Sequence, residues 1–168
     1  TKLWNAARFM VINSDDVFSN SCKKIAKGDV SFFDMTHWSA DDHYILCKLQ
    51  EAISDCTENL EAYRINDAAH VLHEFVWHQF CDWHIEYARS VFRNGDKIRR
   101  IEVLQIMHFV YSNALRLLHP MLPFITEELW HTMGYGSAKD FLMQEKWPSP
   151  LNNTISSMWK IDQSCVQY

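Results

Sequence analysis

Glycine and proline are scarce in this chain, four of each in 168 residues. A turn-rich β architecture needs both in quantity, so their scarcity points to long helices with few breaks. A basic excess is lacking too. Lysine and arginine total 16 against 21 acidic residues, a formal net charge of −5. The chain as a whole has no electrostatic footprint for nucleic acid, and any such binding must use a local basic face. There is no CxxC pair, and the cysteine count is odd: Cys22, Cys47, Cys56, Cys81 and Cys165 read as reduced thiols of a reducing compartment. The longest uncharged runs, such as Val103 to Leu115, are too short to cross a bilayer, and no signal peptide opens the sequence. The expectation is a soluble, cytoplasmic protein with no membrane partner. Catalytic motifs are missing as well. No glycine-rich phosphate loop, G-x-S-x-G or family-spaced Cys/His pair occurs, so no catalytic residue, metal or cofactor is expected in this chain.

What is present is helical periodicity. The chain is 48% hydrophobic and 14% aromatic, and it is long enough for one domain with a real core. Leu3, Ala6, Ala7, Met10 and Val11 predict a first helix over roughly Lys2 to Asn13. Residues 14–38 read as an irregular connection with about one helical turn. Ser39-Ala-Asp-Asp42 is a helix-start signal, and Ile45, Leu49, Ala52, Ile53, Cys56, Leu60 and Tyr63 form the stripe that follows it. A third helix, capped by Asn66 or Asp67, runs to about Phe92 with Ala68, Leu72, Phe75, Val76, Phe80, Trp83 and Tyr87 as core. Asn94-Gly95-Asp96 restarts the chain into a fourth helix, Lys97 to Leu118, ended by Pro120. Pro123 opens a fifth, closed by Gly134 and Gly136. The fold class is all-α, an antiparallel up-and-down bundle over residues 1–150. Residues 151–168 read as the start of a further segment. Both ends lack the usual start and stop signals, so the chain reads as a fragment.

Nine histidines invite a metal reading. His73-Glu74 with His78 is one residue too long for HExxH: at 100° per residue the two imidazoles diverge. Cys81 and His84 share a face beside Asp82 and offer either a metal pair or a packed thiol with a hydrogen-bonded imidazole. Glu128 and His131 form a single E-x-x-H, where a di-iron bundle needs two. Phe75 to Trp83 reads as core.

Lys2, Asn5 and Arg8, three apart, lie along one line of the first helix. An amide and a guanidinium suit base edges and an ammonium suits phosphate, although a plain solvated face has the same pattern. Tyr44, beside the stripe of the second helix, is either a rim aromatic or a ring for stacking an unpaired base.

Four segments together resemble valyl-tRNA synthetase anticodon-binding domains. Lys2-Leu-Trp-Asn-Ala-Ala-Arg-Phe9 is similar to the family's first-helix signature. Asp42-His-Tyr-Ile-Leu-Cys-Lys-Leu49 resembles D-R-W-I-L-S-R-L. Phe75-Val-Trp-His-Gln-Phe-Cys-Asp-Trp83 resembles F-x-W-x-x-F-C-D-W, and Leu117 to Trp130 resembles L-L-H-P-F-M-P-F-I-T-E-E-L-W. The resemblance implies the class I anticodon-binding helical fold and recognition of a valine tRNA anticodon stem-loop. It implies a parent ligase that attaches valine using ATP, with a catalytic domain in the same parent chain. It places Asn5 and Arg8 at the anticodon face, with Lys2 on the same flank, Tyr44 stacking on the anticodon, and His43 in the position of a family arginine. The competing expectation is a helical protein–protein scaffold without RNA binding.

Overall fold

The computed structural model describes residues 1–14, 19–31 and 33–149. Cys165 and the expected segment 151–168 lie outside the described residues. Those described form helices α1 (Lys2–Ile12), α2 (Ser19–Ala26), α3 (Ala40–Glu61), α4 (Ile65–His73), α5 (Ile85–Asn94), α6 (Lys97–Leu118) and α7 (Pro123–Thr132). A π-helical stretch, Glu74–His84, joins α4 to α5 without a break, and short 3-10 turns occupy Met35–His37 and Leu142–Gln144. None of the described helices is long and apolar enough to cross a membrane.

The centre of the fold is α6. From Val103 to Leu118 its residues are buried on nearly every side, Gln105 and Arg116 excepted. A helix that is apolar all round must be surrounded, and α1, α2, α3, α4, α5 and α7 all pack on it. The described residues thus form the expected all-α bundle, with α6 as its central helix. Two of the polar groups this traps are bonded: His108 Nδ1 lies 2.8 Å from the Tyr135 hydroxyl, and Asn113 Nδ2 donates to the Phe109 carbonyl at 2.8 Å.

Local signals explain most boundaries. The Ser39 amide donates to the Asp42 carboxylate at the start of α3 (2.8 Å), and Asp96 Oδ1 caps α6 by accepting from the Arg99 amide. Pro123 sits in the first turn of α7. Two expectations fail. The connection 14–38 contains α2, two turns rather than one, because Cys22, Ile25 and Ala26 bury a face against α6. Only three apolar positions mark that helix in the sequence. The third helix also starts earlier, at Ile65, with no side-chain cap.

The reason lies in the α3–α4 turn. Tyr63 adopts φ 59°, the Arg64 amide donates to the Asn59 carbonyl at 2.8 Å, and the Tyr63 amide donates to Leu60 at 3.0 Å. This is a Schellman closure with tyrosine where glycine is favoured. Tyr63 is accordingly 89% exposed and leaves the stripe predicted for it. Left-handed backbone costs a non-glycine residue about 1–2 kcal/mol. Tyr63→Gly should therefore stabilise the chain by roughly 1 kcal/mol after the entropy glycine adds to the unfolded state. Urea unfolding measures it, and a lower midpoint would refute the assignment.

Candidate nucleic-acid interface

On α1, Leu3, Ala6, Ala7 and Met10 face the core, which turns Trp4, Asn5, Arg8, Val11 and Ile12 to solvent. The side chains of Asn5 and Arg8 make no hydrogen bond or ion pair among the described residues. Phe9 is half-buried, edge-on to Phe92 at 5.7 Å, with the Arg89 guanidinium 5.6 Å from its ring.

Lys2 is placed differently from its two neighbours. Its ammonium donates to Asp82 Oδ1 at 2.6 Å, and His78 Nδ1 stands 3.4 Å from the other carboxylate oxygen. The hydrogen bond from Lys2 holds the Asp82 carboxyl below its usual range. The residue after Asp82 is Trp83, whose ring meets Tyr44 at 4.8 Å and 64°. The Tyr44 hydroxyl donates to Gln79 Oε1 at 3.0 Å, and the Lys48 ammonium lies 5.6 Å from the Tyr44 centroid. The π stretch thus ties the start of α1 to the start of α3. It brings Lys2 and Tyr44 into one neighbourhood, with Asn5 and Arg8 one and two turns further along α1. His43 lies beside Trp38, ring centroids 5.7 Å apart.

The first turn of α3 rests on a buried polar network. Asp42 is fully buried and bonded to Arg99, whose guanidinium also reaches the Tyr87 hydroxyl at 2.7 Å and Glu102 at 3.1 Å. Ser39 Oγ lies 2.8 Å from the same tyrosine hydroxyl. The Arg99 side chain is only 17% exposed. It belongs to the framework under His43 and Tyr44, although in sequence it reads as part of a basic stretch with Lys97 and Arg100. A long-range Asp–Arg pair across 57 positions leaves no local sequence signal.

The π register also revises the histidine arguments. An i→i+5 helix puts residues five apart on one side, so His73 and His78 do meet, with ring centroids 5.8 Å apart. Divergence at 100° per residue is a property of the α-helix alone. Among the described residues, even so, no group of three or more metal-capable side chains forms. Cys81 and His84 are held neutral: burial raises the thiol to about 11, and burial with the nearby Arg99 charge lowers the imidazole to about 3. His84 is not the hydrogen-bonded histidine expected. Both its ring nitrogens lack a partner, and it packs among Phe80, Trp83 and Tyr87. His131 pairs with Glu127, not Glu128, at 3.1 Å, and Glu127 also accepts from the Leu142 amide.

Two aromatics of α1 and the π stretch are exposed without being read so from the sequence. Trp4 is 41% exposed, one turn before Arg8, and Trp83 is 38% exposed although its spacing reads as core. For Trp4 a signal existed: it falls on the polar side of the α1 pattern.

Comparison with known proteins bears on this surface. Residues 42–167 match the family model for the anticodon-binding domain of tRNA ligase. Among similar proteins, the valine–tRNA ligase of Geobacter sulfurreducens is 40% identical over 132 residues, 79% of this chain and 14% of that protein. The valine–tRNA ligase of Agrobacterium fabrum is 39% identical over 152 residues, 89% of this chain and 15% of that protein. That of Laribacter hongkongensis is 37% identical over 164 residues, covering 96% and 16%. The chain thus spans about one sixth or less of the length of these relatives. With an all-helical bundle carrying these residues, the chain belongs to the family of anticodon-binding domains of tRNA ligases.

Proposed function

We propose that this chain binds the anticodon stem-loop of a valine tRNA, as one domain of a cytoplasmic ligase that attaches valine to that tRNA using ATP. Lys2, Asn5, Arg8, His43 and Tyr44 form the recognising face. The ATP-dependent chemistry belongs to the catalytic domain of the same parent chain. The observation that carries this reading is the junction of α1 with α3 through the π stretch, where Lys2, Asp82, Trp83 and Tyr44 follow one another in contact. It supports a single face that combines exposed amide and guanidinium groups with aromatic rings, on a chain whose net charge is acidic. RNA loops are read in this way, by stacking on aromatic rings and by hydrogen bonds to unpaired base edges.

The test is a titration of the chain with an isolated valine anticodon stem-loop and with a scrambled loop on the same stem. Binding should prefer the valine loop and weaken as salt rises, because phosphate contacts release counterions. Asn5→Ala and Arg8→Ala should each cost about 1–3 kcal/mol if they read bases. Equal affinity for the two loops, or no effect of the double substitution, would defeat the assignment.

A further inference from the structure

In the reading above Trp83 only joins the start of α1 to the start of α3, and its position is unusual for an apolar residue. Along the π stretch the buried positions recur every four to five residues: Phe75 with Val76, then Phe80, then His84 with Ile85. Trp83 does not share that spacing and emerges 38% exposed. An α-helix would have put it with Phe80 and Tyr87 in the core, as the sequence periodicity predicts. The wider register is what presents it to solvent.

The indole is also held rigidly. It stacks on Tyr87 at 12° between planes and 6.3 Å between centroids. The Tyr87 hydroxyl is fixed in turn by Arg99 and Ser39. Tyr44 leans against the indole at 64°, and its own hydroxyl is anchored on Gln79. The Tyr44 ring already has two neighbours, Trp83 and the Lys48 ammonium. Trp83 has ring neighbours too, but it is 38% exposed whereas Tyr44 is partly buried, so it presents the more open aromatic surface of the pair. Next to it in sequence, Asp82 draws the Lys2 ammonium to 2.6 Å and so places a cation at the edge of the same corner.

We propose that Trp83 and Tyr44 form a two-ring corner that takes one unpaired nucleobase, with the base plane stacked on the Trp83 indole. This rests on the RNA-binding reading above and names a stacking residue for it. A pre-held ring loses little conformational freedom on binding, and base–aromatic stacking tolerates any base because every base has a π face. The corner accordingly supplies affinity, and discrimination between bases comes from Asn5 and Arg8.

The test uses this chain and a valine anticodon stem-loop carrying 2-aminopurine at one loop position at a time. One position should be strongly quenched by the parent chain. Trp83→Leu should relieve that quenching and weaken binding about tenfold. Trp83→Phe, which keeps a ring, should stay within about threefold. The dependence of affinity on salt should be the same in all three, since stacking releases no counterions. Trp83→Leu binding within twofold of the parent, while Arg8→Ala still weakens it, overturns the corner and leaves the functional reading standing. Loss of affinity in Trp83→Phe equal to that in Trp83→Leu also overturns it, since the ring would then not be the cause. No loop binding by the parent chain overturns both.

Discussion

Arg99→Ala should destabilise the chain by about 3 kcal/mol or more, the largest effect expected of any exchange at a polar residue here. Asp42 is wholly buried, and Arg99 is the cation bonded to it. Removing one partner of a buried pair strands the other charge in a medium that solvates it poorly, which typically costs 3–5 kcal/mol. Ser39 would keep two hydrogen bonds to the Asp42 carboxylate, so the lower end of that range is expected. The loss also extends to the Tyr87 hydroxyl and Glu102, both of which use the same guanidinium. A double-mutant cycle with Asp42→Ala separates pairing from packing. The double variant should cost clearly less than the sum of the two single ones. Additive losses in chemical unfolding would show that Arg99 and Asp42 stabilise independently. Because the network underlies the first turn of α3, Arg99→Lys should recover only part of the stability: an ammonium cannot reach Asp42, Tyr87 and Glu102 together in the guanidinium's planar geometry.

The second large effect is on pH. Burial pushes His84 and His108 down to about 3 from an ordinary value near 6.5. Above pH 6.5 both imidazoles are neutral in the folded and unfolded chain, and the stability is fully present. Below it the unfolded chain takes up protons that the folded chain cannot accept until near pH 3. Stability therefore falls with falling pH, by about 1.4 kcal/mol per pH unit for each group. Between pH 7 and pH 5 that is roughly 2 kcal/mol per histidine. His84→Phe is the sharper check, since His84 already sits among aromatic rings with neither nitrogen bonded. It should roughly halve the slope of unfolding free energy against pH while leaving stability at pH 7 no lower. A stability that is flat from pH 7 to pH 5 in the parent would mean that the two imbedded rings are protonated in the fold.

Much of this architecture is legible in the sequence. Ser39 and Asp42 start α3, Asp96 caps α6, and Pro123 and Gly134 bound α7, because capping and turn chemistry act within a few residues of the chain. The stripes of α1 and α3 named most of their buried residues for the same reason. The interface was legible in part. Asn5 and Arg8 are exposed as their phase on α1 predicts, and Lys2 lies on the same helix, yet nothing local announced that Lys2 would be tied to Asp82, 80 positions away.

What the sequence by itself determined is the inventory: helices, their ends, the acidic balance, and an amide and a guanidinium on one solvent-facing flank. What only the tertiary structure decided is which groups are spent inside the fold and which remain for a ligand. Arg99, basic in sequence, is consumed by Asp42 in the interior. Trp83, apolar in sequence, is released to the surface by the π register. Local spacing cannot report either outcome. The first depends on a partner that arrives from another helix, and the second on a helical repeat set by how Phe75, Val76, Phe80, His84 and Ile85 pack, not by their intrinsic preferences.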